Sequence, residues 1–157
     1  MEKVKEVPYG VADFVTVMEQ NLYYVDKTMF IPELEKQPRN LFFIRPRRFG
    51  KSLFLSMLHS YYDCNQSAKF QSLFGKLWIG QHPTELQGKY QVLFLDFSQV
   101  SGNIDSLERN FYFYCSVKLD GFMRRYGESY SEETRERRCA RRSMPWISWL
   151  LFMNQNV

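Results

Sequence analysis

The chain has 157 residues, 45% of them hydrophobic and 17% aromatic, which suits one folded domain and argues against intrinsic disorder. Its formal charge is +4. Residues 1–130 hold sixteen Lys+Arg against fourteen Asp+Glu, and residues 131–157 hold five Arg against three Glu, so the body is nearly balanced and bulk charge does not argue for nucleic acid.

The opening segment "MEKVKEVPYG" has no apolar core and is no signal peptide. "PYGVADF" reads as a turn followed by mixed apolar residues. Tyr23, Tyr24 and Val25 predict a short strand or extended segment. Asp26 or Thr28 can then cap a helix through Met29, Phe30, Ile31 and Leu34, provided Pro32 lies in its first turn. "LFFI", residues 41–44, is an uninterrupted apolar run of the kind that forms a strand buried on both faces of a parallel sheet. Pro46 should end it at Arg45.

After Gly50 the period changes. Leu53, Leu55, Met57, Leu58, Tyr61 and Tyr62 predict a helix with a broad apolar face, ended by Asp63, Cys64 and Asn65. "SAKFQSLFGKLWIGQHP" predicts a short helix, a turn and an irregular connection. "YQVLFLDFSQV", residues 90–100, predicts a second buried strand. After the turn Ser101-Gly102-Asn103, residues 104–127 predict a helix with Ile104, Leu107, Phe111, Cys115 and Leu119 on one face. The order strand, helix, strand, helix predicts an α/β fold with parallel strands. From about residue 131 the chain turns arginine-rich and then apolar.

The segment "LFFIRPRRFGKSLFLSML" carries the chemistry. A phosphate loop ends a strand, wraps backbone N–H groups around an anion and starts a helix whose positive end faces the ligand. Gly50, Lys51 and Ser52 stand at the predicted junction. Arg45 occupies a place where such loops usually have glycine, but that glycine supplies room and no side-chain chemistry. The donors from Arg48 to Ser52 remain available, and Arg47 and Arg48 could add charge-assisted contacts. The predicted nucleotide-binding set is Arg47, Arg48, Phe49, Gly50, Lys51, Ser52 and Leu53.

"YYVDKTMFIPEL", "RPRRFGKSLFLSML", "SLFGKLWIG" and "YQVLFLDFS" together resemble the predicted AAA-ATPase-like family of bacterial P-loop proteins, over about residues 7–130. That family carries RPRRFGKS, so Arg45 follows its pattern. The resemblance implies a P-loop NTPase of the AAA/STAND kind, with a parallel sheet and flanking helices, binding ATP and Mg²⁺. It assigns Lys51 to the phosphates and Ser52 to magnesium. Many members carry a C-terminal nuclease-like domain, for which nothing here is long enough. The segment with Tyr24, Asp26, Lys27 and Thr28 resembles the family's YVDKT motif. Two readings of it stand: placement near the base or phosphates, or a capped helix holding an N-terminal segment in place.

Hydrolysis needs an acid at a strand end to orient Mg²⁺. Asp96 in "VLFLDF" is the candidate, although the family places its acid on a later strand. The alternative reading of Asp96 is a turn cap. On this view residues 1–130 form the N-terminal part of a nucleotide-binding domain whose fold is incomplete. Residues 131–157 are then a divergent tail, read as frameshifted or truncated, or as a basic arm with an amphipathic end. A competing functional reading is a nucleic-acid-binding module built on Arg45, Arg47, Arg48, the tail arginines and stacking aromatics, or an inactive remnant.

Cys64, Cys115 and Cys139 are widely spaced and form no CxxC pattern, which predicts reduced thiols and a cytoplasmic protein. His59 and His82 lie far apart, so zinc-ligand spacing is not met. No run approaches the ~20 apolar residues of a membrane span.

Overall fold

The computed structural model describes residues 5–37, 41–44, 46 and 49–127. The chain divides into two compact units, residues 1–92 and 93–157. The segment after residue 130, read above as a divergent tail, lies outside the described residues.

In the first unit, helix α1 spans Phe14–Glu19. Asp13 starts it: its carboxylate accepts from the Thr16 N–H (2.8 Å) and the Thr16 hydroxyl (2.7 Å). The other Asp13 oxygen accepts from the Ser56 hydroxyl, which itself accepts from the Phe14 N–H. Burial pushes the Asp13 carboxyl up, but these donors outweigh it and hold the group below the ordinary aspartate value. A 3₁₀ turn at Thr28–Phe30 leads into α2, Ile31–Glu35, with Pro32 in its first turn as the sequence requires.

Helix α3 spans Lys51–Tyr62 and ends with Asp63 as its C-cap, where the sequence predicts the stop. Its buried residues are Phe54, Met57, Ser60 and Tyr61, so the inward stripe centres on Phe54, Met57 and Tyr61. Leu55, placed on the apolar face by sequence, is exposed. A 3₁₀ stretch, Cys64–Lys69, joins α3 to α4 (Phe70–Phe74), and α5 follows at Trp78–Gln81. The core packs Phe14, Ile31, Phe54, Met57, Tyr61, Leu73, Phe74, Leu77 and Ile79. Gly80 is needed there because a Cβ would overlap the Phe74 carbonyl group. Glu35 accepts from the Tyr62 hydroxyl (3.0 Å) and the Thr84 hydroxyl (2.7 Å), tying α2 to α3.

The predicted parallel sheet is not seen among the described residues. The described residues are helical, and their one β-pairing is an isolated parallel bridge between Asp63 and Tyr90. "LFFI" is not part of a strand among the described residues: Phe42 is 93% and Ile44 88% exposed, while Phe43 stacks on Phe54 at 5.1 Å. "YQVLFLDFSQV" likewise forms no strand; it contributes Tyr90 to the bridge and a 3₁₀ turn at Phe97–Gln99. The α/β reading is therefore corrected to a helical architecture. The physical reason is that an apolar run marks residues that shun water, whereas a strand is defined by a regular ladder with a second segment, which the run itself does not specify.

In the second unit, α6 runs Ile104–Tyr126, close to the predicted range, and Asn103 caps it by accepting from the Ser106 N–H. Cys115, Phe122 and Tyr126 are buried, but Leu107 is 46% exposed, so only part of the expected face is covered.

Candidate functional site

Gly50 sits at the N-cap of α3 with φ +73°, ψ +25°, a left-handed conformation that a residue with a Cβ adopts only at a cost. This turn lets the chain enter α3 with the N–H groups of Lys51, Ser52 and Leu53 at the helix's free end. The first α-helical bond is Phe54 N–H to the Gly50 carbonyl (2.9 Å). Among the described residues no acceptor meets the three preceding N–H groups, and no side chain caps the helix. Lys51 and Ser52 are exposed, Leu53 half-buried and Phe49 exposed. Phe54 and Met57, next on the helix, are buried and anchor it. The result is a rigid helix with a polar, cationic, water-facing N-terminus. Arg47 and Arg48 lie outside the described residues.

The YVDKT segment lies beside this end. Asp26 uses both carboxylate oxygens. One accepts from the Thr28 N–H (2.8 Å) and hydroxyl (2.7 Å), and the other accepts from the Trp78 N–H (2.8 Å). The Thr28 side chain is fully buried, and its hydroxyl oxygen also accepts from the Ile79 N–H (3.1 Å). Asp26 and Thr28 thus clip this segment onto the first turn of α5, the "LWIG" of the sequence. Between them Lys27 projects toward the loop: a Cβ built on Gly50 would lie 3.9 Å from the Lys27 ammonium nitrogen. The three motifs stand far apart in the sequence, and only the fold brings them together. The only local signal was the Asp-x-Thr spacing of a side-chain-to-backbone turn.

The clip gives a direct prediction. Asp26→Ala removes three accepted bonds and leaves the Trp78 and Thr28 N–H groups without their partners. The expected loss is about 1–3 kcal/mol, at the level of hydrogen bonds to a charged group. Urea denaturation of the variant should show it as a lower midpoint; an unchanged midpoint would mean the clip does not hold the two segments together.

Asp96, the sequence candidate for the metal shell, belongs to the second unit. Its carboxylate accepts from the Ser98 N–H (3.0 Å) and hydroxyl (2.6 Å), and its own N–H donates to the Tyr114 hydroxyl (2.7 Å). The Ser98 bonds, aided by Lys118, hold its carboxyl below the ordinary value. The geometry is that of a turn cap at the start of Phe97–Gln99. Among the described residues no group of three or more His, Cys, Asp or Glu could hold a metal ion. Nor is any described helix long and apolar enough to cross a membrane.

Comparison with known proteins adds to this. One curated relative, an uncharacterized protein in the vnfD 5′ region of Azotobacter chroococcum mcd 1, is 44% identical over 63 residues. That stretch is 40% of this chain and 12% of the relative, so the chain spans a small part of the relative's length. No solved structure matches. The family model described as "Predicted AAA-ATPase" matches residues 8–153, which takes in the clip, the Gly50 turn, both apolar runs and most of the arginine-rich end. The chain belongs to the predicted AAA-ATPase-like family.

Proposed function

We propose that this chain binds a nucleoside triphosphate, ATP, as its Mg²⁺ complex at the N-terminus of α3. One observation carries the reading. In the Arg-Arg-Phe-Gly-Lys-Ser sequence, Gly50 takes the left-handed turn that leaves the first amides of a twelve-residue helix open beside an exposed lysine and serine.

The physics favours a phosphate. The N–H groups of Lys51, Ser52 and Leu53 are donors without acceptors among the described residues, and the helix macrodipole adds partial positive charge at the same point. The Lys51 ammonium is a mobile point charge suited to phosphate oxygens. The Ser52 hydroxyl would offer an oxygen ligand to the magnesium that accompanies the phosphates; Mg²⁺ would neutralise part of their charge. Membership of a family described as AAA-ATPase supports the choice of ATP. No preceding strand enters this proposal; the helix end and the turn suffice for an anion cradle. What is proposed is binding; hydrolysis is not part of the proposal.

The test is a titration of the wild-type chain with a fluorescent ATP analogue and Mg²⁺, paired with thermal unfolding. Ligand that binds only the folded state stabilises it by about 2.7 kcal/mol at a hundredfold excess over Kd, so ATP-Mg²⁺ should raise the Tm and AMP should not. No change in fluorescence or Tm at millimolar ATP-Mg²⁺ would overturn the proposal.

A further inference from the structure

We infer that Lys27 is a second phosphate-binding cation of this site, an inference that rests on the nucleotide reading above. Three observations converge on it. First, the Lys27 ammonium nitrogen stands at the Gly50 turn, 3.9 Å from where a Cβ of that residue would be. Second, its backbone is fixed from both sides. Asp26 is held by Thr28 and by the Trp78 N–H, and Thr28 is buried and bonded to the Ile79 N–H. A lysine so anchored brings its charge to one place, where a lysine on a free loop would spread it over many.

Third, Lys27 is half-buried, and no Asp or Glu side chain among the described residues lies within ion-pair distance of it. Two lysines of the same unit find carboxylates, Lys36 with Glu33 at 2.8 Å and Lys69 with Glu19 at 3.4 Å, whereas Lys27, like Lys51, has none among the described residues. The Lys27 ammonium, the adjacent Lys51 and the positive end of α3 therefore gather charge of one sign around Gly50. Like charges held together without a counter-ion raise the energy of the empty site, and a multivalent anion lowers it. The ligand class that fits is a chain of phosphates. Lys51 approaches from the helix and Lys27 from the clip, so the two ammonium groups can serve different oxygens of one polyphosphate. The Asp26–Thr28 clip is then the positioning device for Lys27. The two readings of the YVDKT motif become one: its acid and hydroxyl fasten the segment, and its lysine faces the phosphates.

The experiment compares full-length wild type, Lys27→Met, Lys27→Gln and Lys51→Ala by titration with the fluorescent ATP analogue. Inorganic tripolyphosphate serves as competitor, at two salt concentrations. Lys27→Met keeps the apolar stem, and Lys27→Gln keeps a polar end should the first variant fold poorly. Either is expected to weaken binding of the analogue and of tripolyphosphate alike, by about tenfold to a hundredfold, the scale of one charge-assisted contact. The salt sensitivity of binding should fall as well, because one screened charge pair is gone. A merely structural role would lower the Tm and leave the salt sensitivity unchanged. If a folded Lys27 variant binds like wild type while Lys51→Ala does not, the Lys27 inference is overturned and the nucleotide reading stands. If wild type binds neither analogue nor tripolyphosphate, both fall.

Discussion

Phe14→Ala is expected to destabilise the first unit by about 3–5 kcal/mol, the range for emptying a buried aromatic site. Phe14 is fully buried. Its ring stacks on Phe74 at 4.9 Å and meets Tyr24 edge-on at 5.3 Å, so it joins α1, α4 and the approach to the YVDKT segment. Its N–H donates to Ser56 on α3. Alanine would leave a hole between rigid rings that cannot close without moving α1, and the ring contacts add to the lost transfer energy. Small domains have only about 5–15 kcal/mol of stability in total, so the variant should be largely unfolded well below the wild-type Tm. Urea unfolding followed by far-UV circular dichroism is the measurement. The comparison is Val15→Ala, at a half-buried neighbour, which should cost much less. A Phe14→Ala midpoint close to that of Val15→Ala would show that the described core does not hold α1.

The second large effect is on binding. Lys51→Ala should weaken ATP-Mg²⁺ binding about a hundredfold while leaving the fold intact. The size follows from removing a charge-assisted contact worth roughly 1.5–3 kcal/mol, with each 1.4 kcal/mol a factor of ten in Kd. The fold should survive because Lys51 is exposed at the first position of α3 and alanine is a good helix former. Removing a positive charge from a helix N-terminus relieves a small dipole repulsion, so Tm without ligand should be unchanged or slightly higher. Equal affinity of wild type and variant in the fluorescent-nucleotide titration would remove Lys51 from the site.

Several elements were legible in the sequence because their signals are local. The helical spacing after Gly50 and after Asn103 gives α3 and α6 close to their observed bounds. Pro32 lies in the first turn of α2 as the sequence requires, and the change of period after Gly50 matches the start of α3. Helix α1 is not predicted by periodicity, although Asp13 followed by Thr16 is a cap signal; six residues are too few for a period to stand out. The inward face of α3 was only partly drawn. Phe54 lies at its centre although the predicted face runs through Leu53, Leu55, Met57, Leu58, Tyr61 and Tyr62, because neighbouring residues are apolar too and period alone cannot choose.

What the sequence by itself determined was the chemistry at one point: a glycine turn, then a lysine and a serine at the head of a helix, in a chain of the predicted AAA-ATPase-like family. What only the tertiary structure decided was who meets whom. The apolar runs at 41–44 and 90–100 looked like strands, but pairing depends on a second segment that a run cannot name, and the described residues supply a single bridge. The same dependence worked the other way for Asp26 and Trp78, 52 residues apart, whose hydrogen bond sets Lys27 beside Gly50. Hydrophobicity and helix start signals act over a few residues and are written in them, whereas a contact between distant groups exists only once the intervening chain has folded to bring them together.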